Sequence, residues 1–248
     1  DDGGGGGGGD DDAGHRHYRP MVVECTSAAM LESQNANAVG VVQYAIVVLL
    51  VSLLMPLYTA RLVIEKQSGF FDVSKLLGLS TPRYLLMNYA YDYGVVYAAL
   101  VVLLVAVGNA VGITIWRPFS FAWLVVLVAY GHGLLAQCYV LAAVLRNPTA
   151  AYVAGYTVAI FGSGACVAVN LLLLDADQLP PLALLLVPMF AYARAAFSLA
   201  RETALPTLAR GAFAAEQAYV CAAFVVFDTV VLMALAVLLH VGVATTAR

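Results

Sequence analysis

The sequence predicts an all-α membrane protein with five spanning helices, an extracellular re-entrant helical hairpin and a cytosolic amphipathic helix. Three observations lead there. Of 248 residues, 62% are hydrophobic and only 11% charged, against about a half and a quarter in an ordinary soluble domain. Several apolar windows reach the roughly 20 residues that a helix needs to cross a bilayer. Short turns carrying Arg and Pro separate several of these windows.

The first window runs from about Ala38 to Tyr58, with Pro56 placed to loosen or kink its last turn. A charged stretch, Ala60 to Leu86, follows. The second helix spans about Asn88 to Ile113, and Arg117-Pro118 turns the chain into a third, about Phe119 to Leu145. Arg146-Asn147-Pro148 leads to a fourth, about Ala150 to Leu174. The segment from Leu179 to Ala200 reads differently: Pro180, Pro181 and Pro188 interrupt it and Arg194 lies inside it. A re-entrant hairpin fits this pattern, because irregular backbone at membrane depth must be surrounded by protein or by a wet cavity. The last helix covers about Tyr219 to Val243.

Loop charges set the orientation. Arg61, Lys66, Lys75 and Arg83 share one side with Arg146, opposite Arg117 and the acids Asp175 and Asp177. The positive-inside rule places the Arg61 to Arg83 stretch in the cytosol and the hairpin outside, with Arg201 and Arg210 as outlying exceptions. The protein is therefore expected to be a multi-pass integral protein of the plasma membrane or an endomembrane.

The formal net charge is -3, and acids between Asp1 and Asp12 enclose the run Gly3 to Gly9. Residues 1–37 are expected to form a disordered extracytoplasmic segment, in which His15-Arg16-His17 reads as a solvated polar run. A chain that opens on Asp1 is expected to be a piece of a longer protein. No basic footprint for nucleic acid is present. Cys25, Cys138, Cys166 and Cys221 lack zinc-site spacing, so no metal is expected. Cys25 and Cys221 both fall on the oxidising side in this orientation, and sequence leaves their pairing open. The chain contains neither the phosphate-cradling G-x-x-x-x-G-K-[ST] run nor a G-x-S-x-G turn, so no catalytic or cofactor-binding residue is assigned.

Polar groups inside apolar windows face other helices or a cavity. Asp92, His132 and Asp228 are the main intramembrane polar residues, with Gln43, Asn109, Gln137 and Asn170 beside them. Interhelical hydrogen bonding is the expected role, with pathway lining the alternative. Gly108 and Gly112 form a G-x-x-x-G that suits either close packing or a loop.

Between the first two helices, Phe70, Val73, Leu76 and Leu77 recur at helical spacing. Ser68 suits the N-cap of this short amphipathic helix, Gly78 its left-handed C-terminal position, and Pro82 prevents continuation. Pattern alone allows a helix resting on the lipid interface or one docked to protein.

The run Ile64-Glu65-Lys66-Gln67-Ser68-Gly69, then Leu76-Leu77-Gly78-Leu79-Ser80 and Tyr84, resembles the segment after the second transmembrane helix of the A-subfamily ATP-binding-cassette (ABC) transporters, whose membrane domain is of the ABC-2 type. Leu184 to Ala200, with Pro188 and Phe190, is similar to that family's extracellular hairpin, and Phe224 to Leu239, with Asp228, to its last helix. Phe70 and Phe71 stand where the family often carries charge. The resemblance implies that residues 38–246 are the later part of one membrane half of a lipid transporter. It further implies that Glu65, Lys66, Leu76, Gly78, Leu79 and Ser80 couple it to a cytosolic ATPase domain, Glu65 and Lys66 being contact residues. ATP and magnesium would act through that separate nucleotide-binding domain, and the partners implied are that domain, a second transmembrane half and the lipid. A secondary transporter or channel, and a non-transporting scaffold or gene fragment, are the alternatives; the single proline-broken segment argues against inverted repeats.

Overall fold

The computed structural model describes residues 39–40, 42–111, 120–174, 179–204 and 208–246, and the side chains of most of these. The polar segment 1–37, including Cys25, the turn at Arg117, the acids Asp175 and Asp177, and Gly112 lie outside the described residues. Among those described, every regular element is helical. In chain order they are α1 (Val42–Gln67), α2 (Phe70–Leu76), α3 (Thr81–Val111), α4 (Ser120–Val144), α5 (Pro148–Leu172), α6 (Leu182–Leu185), α7 (Pro188–Ala204) and α8 (Leu208–Thr246). Five of them, α1, α3, α4, α5 and α8, are long and apolar enough to cross a membrane. The chain is an all-α membrane protein.

Boundaries of the first two spans differ from the sequence expectation. The first helix does not stop near Tyr58 but continues to Gln67, with Thr59, Ala60 and Val63 carrying its buried side onward. The second starts at Thr81 rather than Asn88, with Ser80 in extended conformation and Pro82 in the first turn, where its missing donor costs nothing. The charged stretch between them is thus mostly helix, and the first span is not poor in ionisable groups. Its irregularity is a turn at Leu53-Leu54, after which the helix resumes with Pro56 in its first turn.

The amphipathic helix α2 forms in seven residues. Gly78 takes φ 86° and closes it: the Leu79 amide donates to the Ser74 carbonyl at 3.1 Å, a bond that only a left-handed residue permits. Ser68 does not cap α2. It ends α1 instead, its hydroxyl donating to the Glu65 carbonyl at 3.0 Å, and Gly69 at φ 72° turns the chain.

α4 is the central helix, packed against α8, α1 and α7, with α7 also against α8 and α5 beside α1 and α7. Trp123, Leu127, Tyr130, Leu134, Tyr192, Leu199 and Cys221 are among the buried residues there. The expected hairpin is lopsided, a one-turn arm (α6) followed by the longer α7. Its tip reaches mid-span: a Cβ on Gly133, halfway along α4, would lie 3.0 Å from Pro188 Cβ, and one on Gly162 of α5 would lie 2.9 Å from Met189 Sδ. From there α7 runs back with Tyr192 stacked on Tyr130 (centroids 3.8 Å apart) and Phe197 edge-on to Tyr44. The last helix is longer than expected, reaching from Leu208 to Thr246 around the apolar span Ala214–His240.

Candidate functional site: the charged junction beneath the amphipathic helix

α1 brings Tyr58, Arg61 and Glu65 onto one face by their spacing of three and four residues. Arg61 Nε donates to Glu65 Oε1 at 3.0 Å, and its Nη1 donates to Asp92 Oδ1 on α3. Glu65 Oε2 accepts from the Tyr84 hydroxyl at 3.1 Å and from Asn88 Nδ2 at 3.0 Å, both on α3. The Tyr139 hydroxyl of α4 donates to Asp92 Oδ2 at 3.4 Å, and the Tyr58 hydroxyl to the Asp92 carbonyl at 3.4 Å. One guanidinium and two carboxylates therefore tie three spanning helices together. The Asp92 side chain is 1% exposed and that of Arg61 38%, so the junction runs from the bundle edge into its interior. Asp92 is not near the start of its helix, as expected, but eleven residues in.

Lys66 and Gln67 face the other way. Lys66 Nζ donates to the Ala143 carbonyl at 3.0 Å and reaches that of Ala142 at 3.5 Å, while Gln67 Nε2 donates to the Arg146 carbonyl at 2.5 Å. The Ala142 and Ala143 carbonyls belong to the end of α4 and that of Arg146 to the turn after it; the last turn of a helix leaves acceptors without intrahelical partners and favours a cation. Glu65 and Lys66 thus bond inside the bundle. The side chains that project from this end are those of α2 and of the residue after it: Phe70 and Val73 are more than half exposed, Leu76 88% and Leu77 76%. Gly78 and Ser80 are exposed and Leu79 half-buried.

Asp92 also opens a π-helical segment, Asp92–Tyr97. Around it Tyr89, Tyr93 and Tyr97 line up on α3 against α4. The Tyr89 hydroxyl is 2.5 Å from His132 Nδ1, the Tyr93 ring stacks on the His132 ring at 3.7 Å, and the Tyr97 hydroxyl donates to the Leu127 carbonyl at 2.6 Å. Asp228 is buried on α8, and its Oδ2 has no hydrogen-bond partner among the described residues. Asp92 and His132 bond across helices, whereas the Asn170 amide donates to the Cys166 carbonyl of its own helix and Asn109 is exposed. Cys221 is a buried free thiol.

The sequence reading missed Arg61, Tyr58, Asn88 and Tyr139 as members of one site. The i, i+4 spacing of Arg61 and Glu65 is the available signal, and it falls inside the charged stretch Ala60 to Leu86. Across α1 and α3, further from the charges, Leu50, Val51, Leu54, Leu100, Leu104 and Val107 line an apolar crevice of ≈ 260 Å³.

No family model matches the chain, and no solved structure matches it. Over 149 residues it is 28% identical to the protein named ABC transporter A family member 9 from Dictyostelium discoideum, an alignment that takes in 58% of this chain and 17% of that protein. The chain thus spans about a sixth of that relative's length. A membrane-spanning helical domain with a charged junction beneath a protruding amphipathic helix is, over more than half its length, similar in sequence to part of an ABC transporter of the A family.

Proposed function

We propose that this chain is the transmembrane domain of an ABC-type transporter of the ABC-2 kind, moving lipids with ATP hydrolysed by a nucleotide-binding domain outside these 248 residues. In this reading α2 is the coupling element and lies in the cytosol. One observation carries it: α2 presents Phe70, Val73, Leu76 and Leu77 outward while two left-handed glycines and the junction below fix its base. An exposed apolar face on a rigidly based helix suits a groove on a partner protein. Leu76 and Leu77 supply the docking face, Gly78 and Ser80 its exit, and Glu65 and Lys66 anchor it from inside the bundle rather than touching the partner. The similarity to an A-family member supports the class of machine. Lipid as cargo fits the apolar crevice between α1 and α3, and a second membrane half fits the largely uncovered α3.

The test uses the full-length protein in phosphatidylcholine vesicles that contain a trace of fluorescent phosphatidylcholine. Gly78→Pro, which removes the left-handed exit of α2, is expected to leave ATP hydrolysis standing and to lower labelled lipid moved per ATP several-fold. An unchanged ratio would sink the reading of α2 as the coupling element, and ATP-driven vesicles that move no lipid would sink the cargo assignment.

A further inference from the structure

α4 and α8 run side by side in the same direction, and two places of contact set their register. A Cβ on Gly133 of α4 would lie 2.9 Å from Val225 Cγ1 of α8, and further along Tyr139 and Val140 pack with Met233, Ala236 and Val237. Between these places the same two faces carry Gln137, four residues past Gly133, and Asp228, three past Val225. At 1.5 Å per residue the two positions differ in level by only about 1.5 Å. Asp228 is fourteen residues from Ala214 and twelve from His240, the ends of its apolar span. The pair therefore lies at mid-membrane, one turn past the hairpin tip where Pro188 meets Gly133.

Each of the two side chains ends in an oxygen without a partner. Asp228 is 4% exposed with Oδ2 unbonded, and Gln137 Oε1 is likewise buried and unbonded. The donors on the surrounding helices are committed elsewhere. Thr229 donates to the Val225 carbonyl of its own helix at 2.7 Å, Tyr139 of α4 to Asp92, and Tyr84 of α3 to Glu65. The Tyr89 hydroxyl of α3 meets His132 Nδ1 of α4 at 2.5 Å. In the first turn of α7 the Phe190 and Ala191 amides both donate to the Val187 carbonyl. Arg194 of α7 lies near Cys221, seven residues or about 10 Å back along α8 from Asp228. At the other end His240 Nδ1 is bonded to the Ala236 carbonyl, and α6 has no titratable side chain. A carboxylate sealed in this way, without donor or cation, is far costlier than a neutral acid. A protonated carboxyl is itself a donor, and the amide oxygen of Gln137 is an acceptor.

We propose that Asp228 and Gln137 form a proton-binding site: the Asp228 carboxyl takes a proton from water and, as a neutral acid, donates it to Gln137 Oε1 across the α4–α8 seam. A proton is a ligand that needs no cavity. Binding it turns two opposed acceptors into one interhelical hydrogen bond, and releasing it leaves a bare charge beside a second acceptor. The seam is therefore tight when the site is loaded, toward acid pH, and weakened when the proton leaves as pH rises. The site does not depend on what α2 docks against.

The experiment takes infrared spectra of the full-length protein in phosphatidylcholine nanodiscs, native minus Asp228→Asn. At about pH 5.5, where an ordinary aspartate is ionised, the difference is expected to contain the C=O band of a protonated carboxyl, downshifted in D2O. Toward about pH 9 that band is expected to give way to carboxylate bands. Gln137→Leu, which removes the acceptor, is expected to move it to the higher frequency of an unbonded carboxyl. Thermal midpoints give a second readout. The native midpoint is expected to fall over this pH interval relative to Asp228→Asn, whose amide keeps a donor for Gln137 and has no proton to lose. If Asp228→Asn does not yield monodisperse protein, native minus Gln137→Leu carries the infrared test. No protonated-carboxyl band at about pH 5.5 overturns the site. A band indifferent to Gln137→Leu overturns the pairing, and native and Asp228→Asn midpoints that fall in parallel overturn the effect on the seam.

Discussion

Gly131 is the position where a single methyl group tests the packing of α3 on α4. A Cβ there would come within 2.6 Å of three ring carbons of Tyr97, where real contacts are longer than 3 Å. The ring cannot swing aside cheaply, because it is 2% exposed, stacked near Tyr93 at 5.7 Å and held by its hydroxyl to the Leu127 carbonyl at 2.6 Å. Gly131→Ala must therefore overpack the site, at about 1–3 kcal/mol, or break a buried hydrogen bond at about 1–3 kcal/mol. A destabilisation of about 2–6 kcal/mol follows if both contribute. Gly164→Ala is the control, since no atom lies within 4 Å of its added methyl, and helix propensity favours that change by up to ~1 kcal/mol. The assay is reversible denaturation in mixed micelles, run as a double-mutant cycle with Tyr97→Leu, which vacates the space. The double variant is expected to be more stable than the sum of the singles by over ~1 kcal/mol. Gly131→Ala as stable as Gly164→Ala, or an additive cycle, would refute the reasoning.

Gly155→Ala is expected to cost about 1–3 kcal/mol by the same assay, because the obstacle is the Pro56 backbone. The pair Leu76→Ser and Leu77→Ser is expected to change stability by less than ~0.5 kcal/mol, as exposed sites do, yet to lower lipid moved per ATP several-fold in the reconstituted full-length protein; full transport would remove the docking role. Lys66→Met is expected to lower the thermal midpoint by withdrawing the cation from the end of α4, at about 1 kcal/mol or less, with Lys66→Arg retaining most of it. Equal midpoints for all three would show that the Ala143 carbonyl needs no such partner.

What could be read in the chain, and what could not, follows the range of the forces involved. Membrane insertion, the number of spanning helices and the place of α2 with its Gly78 exit rest on runs of neighbouring residues, and composition, apolar length and turn chemistry report those locally. Proline spacing located the hairpin around Pro188 for the same reason. The end of α1 is not legible locally, because Arg61 and Glu65 look like loop residues until their partners are known. Their charge is tolerated within a helix only because Asp92, Tyr84 and Asn88, some 19 to 31 positions away, meet it there. The acceptors of Lys66 are out of reach of local pattern for the same reason, being carbonyls 76 and 77 positions distant. The sequence by itself determined that this protein lives in a bilayer and carries an amphipathic helix between its first two spans, since burial in lipid and helical periodicity need only the local chain. Tertiary structure alone decided that a charged junction ties α1 to α3, because the junction consists of distances between segments, and a buried charge is stabilised only by the groups that folding brings to it.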